Sequence, residues 1–125
     1  MKIKRKTLYA IIAFLVVAGG VMALSLVLQP EEPEPVSLDD FAKCLTEKGA
    51  KMYGAYWCGH CQNQKTAFGE SWQYVTYIEC GRGENPACDD AGIEGYPTWI
   101  FADGSRQSGE LTFPQLAAKT GCAYS

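Results

Sequence analysis

The chain has 125 residues, 11 Lys or Arg against 14 Asp or Glu, a net charge of −3 and six cysteines. That length holds one small domain, and the acidic balance excludes a nucleic-acid-binding face, which needs clustered positive charge against phosphate. Six cysteines in so short a chain point to an oxidising compartment, where disulfides persist and supplement a small core.

Residues 1–7 form a basic segment carrying Lys2, Lys4, Arg5 and Lys6. Residues 8–28 follow without a single charge, a run long enough at about 1.5 Å per residue to cross a hydrocarbon layer of about 30 Å. They read as a transmembrane signal anchor. Glu31, Glu32 and Glu34 lie beyond it, so the positive-inside rule predicts a cytoplasmic N-terminus. The rest is then exported to the periplasmic, lumenal or outer face of a cell membrane. A cleaved signal peptide is the competing reading, because Ala23 and Ser25 are small and spaced for a peptidase; the apolar run is nevertheless longer than the roughly 7 to 15 residues of such a region. Residues 29–36 (QPEEPEPV) hold Pro30, Pro33 and Pro35 among glutamates and predict a short, stiff stalk. Residues 37–125 are left as the folded domain.

Ser37, with Asp40 three residues on, resembles a helix cap, and Leu38, Phe41, Ala42 and Leu45 recur at helical spacing, predicting a helix over 38–48. Residues 51–56 read as a strand and 59–72 as a helix whose buried face includes Ala67 and Phe68. Residues 74–79 and 98–102 are rich in aromatic and β-branched types and read as strands; Asp103-Gly104 then turns the chain into a weaker strand over 106–108. Thr112 caps a last helix through residue 119, with Pro114 in its first turn and Gly121 ending it. The order αβαβ, an irregular stretch, then ββα predicts an α/β domain with a central mixed sheet flanked by helices, at a size where the core alone is marginal.

The chemistry concentrates at Cys58-Gly59-His60-Cys61. A strand leads into this segment and a helix leaves it, so Cys58 is expected at a helix N-terminus, where unpaired amides and the helix dipole favour an anion. The thiolate is the nucleophile of disulfide exchange, which makes Cys58 the attacking sulfur. Cys61, one turn on and more buried, is expected to form or resolve the mixed disulfide. His60 is the one histidine of the chain. Its partial positive charge near neutral pH favours the thiolate over the disulfide and pushes the pair toward oxidant behaviour. Trp57 offers a flat apolar wall beside the sulfur, though an aromatic there serves packing equally well. Farther on, Pro97 stands directly before a strand, an acceptable place for a residue with no amide hydrogen.

These segments carry a resemblance. Tyr56-Trp57-Cys58-Gly59-His60-Cys61 resembles the active-site segment of protein disulfide isomerase domains, and Tyr96-Pro97-Thr98 resembles the cis-proline segment of the thioredoxin superfamily. More narrowly, Lys43-Cys44-Leu45, Lys51 through Cys58, His60 through Lys65, Gly92 through Ile100 and Thr120-Gly121-Cys122 are similar to the thioredoxin-like domain fused to bacterial and plant vitamin K epoxide reductase homologues. The resemblance implies a thioredoxin-like fold and a cis Pro97 packed against Cys58, leaving the Tyr96 backbone to pair with a substrate peptide. It also implies a quinone-linked, vitamin K epoxide reductase-like membrane partner that reoxidises the pair, with no cofactor beyond the redox-active disulfide. Two positions depart from the pattern: Met52 stands where thioredoxins and disulfide isomerases usually keep a buried acid, and Gly-His replaces the Pro-His of the fused domains.

Cys44, Cys80, Cys88 and Cys122 allow three pairings, and the sequence alone does not choose between them. Cys80 with Cys88 would close a local loop and leave Cys44 with Cys122 across a long one. They read either as structural staples or, for Cys80 and Cys88, as a redox relay to the membrane partner. The leading expectation is an enzyme that introduces disulfides into exported proteins, with a reductase or isomerase on the same chemistry as its rival. A cysteine-based metal module is a separate class, disfavoured because the Cys80 to Cys88 spacing is too long for the second half of a zinc site. An inert binding scaffold would be expected to have lost one of the motif elements.

Overall fold

The structure is a computed structural model, which describes residues 3–27 and 35–124. It divides into two units, one up to residue 34 and one from residue 35.

The first unit is one helix, α1 (Arg5–Val27). Residues Arg5–Ala23 have a mean hydropathy of 1.9, and in length and composition α1 is able to cross a membrane. It begins before the apolar run, on the basic residues themselves. Residues 28–34, with most of the expected stalk, lie outside the described residues.

The second unit follows the expected order with two additions. Helix α2 (Leu38–Glu47) is capped by Ser37, whose Oγ accepts from the Asp40 amide at 3.1 Å. It buries Phe41, Ala42 and Leu45, the stripe read from spacing. Strand β1 (Lys51–Gly54) stops two residues short of the expected end, because Ala55 opens a turn closed by Cys58 N donating to Ala55 O at 3.1 Å. Helix α3 (Gly59–Phe68) also ends early. Gly69 takes a left-handed φ of 57° and the chain continues as a 3-10 turn (Gly69–Tyr74), so the expected helix over 59–72 is two pieces.

Strand β2 (Thr76–Glu79) lies parallel to β1, while β3 (Thr98–Ile100) runs antiparallel to β1 and forms a hairpin with β4 (Arg106–Ser108). The sheet order is β2-β1-β3-β4. The stretch expected to be irregular holds a short helix, α4 (Pro86–Ala91). Asn85 caps it through an Oδ1 that accepts from the Ala87 amide, Pro86 occupies its first turn, and Gly92 ends it in a left-handed conformation. Helix α5 (Phe113–Thr120) starts with a reciprocal box between Thr112 and Gln115 and ends at Gly121.

Phe41 of α2, Phe68 of α3 and Phe113 of α5 meet with ring centroids 4.9 to 6.4 Å apart, the Phe68–Phe113 pair edge to face. Trp99, Met52 and Leu116 are completely buried with them. Apolar burial of this kind dominates the stability of the unit. A mixed four-stranded sheet with flanking helices, preceded by an apolar helix, is an α/β thioredoxin-like fold with an N-terminal candidate span.

Candidate redox-active site

The site is built where β1 ends. Four residues carry the chain from the strand to α3, and the last of them, Cys58, is the N-cap of the helix. Its Sγ accepts from the Cys61 amide at 3.3 Å, one of the donors that a helix start leaves free. Cys58 and Cys61 are free thiols, 8% and 0% exposed. Burial, joined by the hydrogen bond to Cys58, pushes the Cys61 thiol up to about 12, so it stays protonated at neutral pH. Both residues are thus buried, Cys61 completely and Cys58 nearly so.

His60 is exposed, and its Nδ1 lies 2.9 Å from Glu110 Oε1. The same carboxylate oxygen accepts from Asn63 Nδ2 at 2.9 Å. Asn63 first, then His60, hold the Glu110 carboxyl below the usual carboxylate range. Trp57 is 62% exposed and meets the Tyr96 ring edge-on, with centroids 5.8 Å apart. It is a surface aromatic, and the contact brings the residue before Pro97 to the motif. The Tyr96–Pro97 peptide is cis, and Pro97 is fully buried.

Beneath the motif, Gly54 leaves no room for a side chain. A Cβ there would stand 2.9 Å from both Cys61 Sγ and Tyr77 Cε2. Tyr77 donates its hydroxyl to Glu79 Oε2 at 2.7 Å, and burial, then that bond, hold its proton well above the ordinary phenol range. Partial burial works against the Glu79 charge, but donors from Tyr77, Gly81 and Tyr56 outweigh it and hold the carboxyl below its usual range. Met52, at the position where an acid is usual in the resembling families, is fully buried in the core.

Cys80 pairs with Cys88 and Cys44 with Cys122. The first bridge closes the loop between β2 and α4; the second ties α2 to the residue after Gly121. A four-thiolate metal site would need Cys80 and Cys88 as thiolates, and they are spent on each other. Among the described residues no group of three or more His, Cys, Asp or Glu is gathered as metal ligands.

Reading the sequence missed Glu79, Tyr77, Glu110 and Gln64. Gln64 stands three residues beyond Cys61 on the buried face of α3, and that spacing was its signal. The others act from 16 or more residues away from the motif in sequence, and nothing local marks them.

No protein-family model matches the chain. It is 48% identical over 88 residues to a thiol-disulfide oxidoreductase, LTO1, of Arabidopsis thaliana; the match covers 64% of this chain and 23% of that protein. The chain therefore spans about a quarter of the length of this curated relative.

Proposed function

We propose that the chain is a membrane-anchored, extracytoplasmic thiol-disulfide oxidoreductase that forms disulfides in exported proteins through Cys58 and Cys61. The observation that carries this reading is the Cys58 sulfur at the start of α3, accepting from the Cys61 amide while the second thiol lies buried behind it. The relative's name supports the same chemistry.

In the oxidising direction a substrate thiolate attacks Cys58 of the Cys58–Cys61 disulfide. The sulfur–sulfur bond breaks, a mixed disulfide forms, and Cys61 leaves as a thiolate that takes up a proton. A second substrate thiolate then attacks the substrate sulfur of that mixed disulfide and expels the Cys58 thiolate. The substrate loses two electrons and two protons; the protein gains both electrons and one proton, on Cys61, while the other proton goes to solvent and Cys58 is left as the thiolate. A quinone-linked, vitamin K epoxide reductase-like membrane partner takes the electrons onward. Tyr96 and cis Pro97 line the substrate side, where the Tyr96 backbone pairs with an extended peptide, and Trp57 provides apolar contact. The apolar α1 keeps the domain at the membrane surface.

The test is the reduction potential of the Cys58–Cys61 couple, measured on the full chain in detergent by equilibration with glutathione buffers and thiol trapping. A value of about −120 to −180 mV supports disulfide donation. A value near about −270 mV makes the protein a reductase instead.

A further inference from the structure

The turn that presents Cys58 is held from outside its own segment. Tyr56 N donates to Glu79 Oε1 at 3.0 Å across 23 residues, and Gly81 N donates to the same oxygen at 2.8 Å. The carbonyl of Tyr56 accepts from the Gln62 side chain, so the Tyr56 residue is gripped at both its polar backbone atoms. Arg82 lies over the Tyr56 ring at 4.3 Å. Residues 79–82 are moulded to the turn. A Cβ on Gly81 would come within 2.8 Å of Ala55 Cβ and Trp57 Nε1 alike.

We propose that Glu79 is a positioning residue for Cys58, whose Oε1 atom clamps the Tyr56 and Gly81 amides together and so fixes the turn that aims the nucleophilic sulfur. The inference rests on the thiol-disulfide reading above. The sheet register sets Glu79 opposite Gly54, the last residue of β1 before the turn. From there its side chain reaches the Tyr56 amide, two residues ahead of Cys58. Two amides converging on one oxygen make a stronger pair of bonds when the acceptor is ionised, and the donors themselves hold Glu79 in that form. Oε2 is occupied by the Tyr77 hydroxyl, which fixes the rotation of the carboxylate. The Cys80–Cys88 bridge anchors the segment that supplies the Gly81 amide.

Two variants separate position from charge. Glu79→Asp keeps the charge but shortens the reach by about 1.5 Å; Glu79→Gln drops the charge but keeps an oxygen for both amides. The full chain in detergent is measured in two ways. One is the rate at which iodoacetamide alkylates reduced Cys58, located by mass spectrometry; the other is the glutathione equilibrium constant of the couple. The aspartate variant is expected to change both by at least about threefold, as a displaced nucleophile does, with the glutamine variant staying within about twofold of the native protein. An aspartate variant indistinguishable from the native protein overturns the proposal, and so does a glutamine variant as altered as the aspartate one. Should the aspartate variant not fold, amide exchange in the native protein decides: slow exchange at Tyr56 and Gly81 upholds the clamp and fast exchange overturns it. A native protein that alkylates at Cys58 but exchanges no disulfide with glutathione removes the functional reading, while the alkylation and amide-exchange measurements still test the clamp.

Discussion

His60 Nδ1 and Glu110 Oε1 stand 2.9 Å apart, joining the middle of the Cys58–Cys61 motif to the loop before α5. The imidazole expected from the sequence to favour a Cys58 thiolate thus has a carboxylate at its back, and Asn63 holds that carboxylate in place. The pair is open to solvent, with the imidazole 76% exposed, so its influence on the sulfur is screened. Replacing His60 with Ala is expected to make the couple more reducing by roughly 10–20 mV, an amount set by the small size of exposed charge interactions. In 1 M salt, where the screening length is about 3 Å, the difference between variant and native protein is expected to shrink. Glutathione equilibration at low and high salt checks both. An unchanged potential at low salt would mean that His60 does not tune the couple.

The two thiols of the motif are expected to differ sharply in reactivity. With its thiol pushed up to about 12 and no exposed surface, Cys61 offers almost no thiolate at pH 7, and the thiolate is the species that alkylates. Brief treatment of the reduced native protein with iodoacetamide is expected to give a single adduct on Cys58. In the Cys58→Ser variant burial, the largest cause of the raised Cys61 thiol, remains, so labelling of Cys61 is expected to stay low at neutral pH and to climb toward alkaline pH. Rapid labelling of Cys61 at neutral pH, read by peptide mass spectrometry, would contradict this.

What was legible in the sequence was what lies close together along the chain. The Ser37 cap, the Phe41-Ala42-Leu45 stripe, the Asp103-Gly104 hairpin and the Thr112 cap are decided within a few residues, and they stand in the structure as read. Cys58 and Cys61 were placed at a strand-to-helix junction by the same local logic. Helix α4 was also written locally, in Asn85, Pro86 and Gly92, but its six residues show no apolar periodicity. Glu79, Tyr77 and Glu110 belong to another category. They reach the motif only because β2 lies beside β1 and the loop before α5 passes α3, and no local pattern encodes that adjacency. Met52 is the complement: the acid usual at this position is replaced by an apolar side chain filling the core.

Gln64 carries a prediction about stability. It is 2% exposed and joins three parts of the domain: Nε2 donates to Leu111 O at 3.0 Å, while Oε1 accepts from Leu111 N at 2.8 Å and from Trp99 Nε1 at 3.4 Å. Gln64→Ala would leave the Leu111 amide and the Trp99 indole without a partner in the interior. Each such orphan costs about 1 to 3 kcal/mol. Denaturant unfolding of the full chain in detergent is expected to show a loss of about 2 to 4 kcal/mol. Gln64→Glu keeps an acceptor for both N–H groups but sets an acid against Leu111 O, and should recover only part of it. A loss below about 0.5 kcal/mol for the alanine variant would mean that water or a shifted backbone replaces the network.

The two bridges should contribute unequally, because they close loops of different length. Cys44–Cys122 spans 78 residues and Cys80–Cys88 spans 8. Chain-entropy arguments give about 4 to 5 kcal/mol for the longer loop and about 2 to 3 kcal/mol for the shorter. Removing Cys44 and Cys122 together as serines is therefore expected to lower the unfolding free energy more than removing Cys80 and Cys88. The shorter bridge also anchors the segment that supplies Gly81 N to Glu79. Its loss is expected to alter the reactivity of Cys58 in addition to stability, whereas the long bridge, distant from that turn along the chain, should affect stability alone. Denaturant midpoints and Cys58 alkylation rates for the two double-serine variants check both halves. Equal midpoints would speak against loop entropy as the dominant contribution. An unchanged alkylation rate in the Cys80→Ser, Cys88→Ser protein would show that the Glu79–Gly81 contact holds without the covalent bridge.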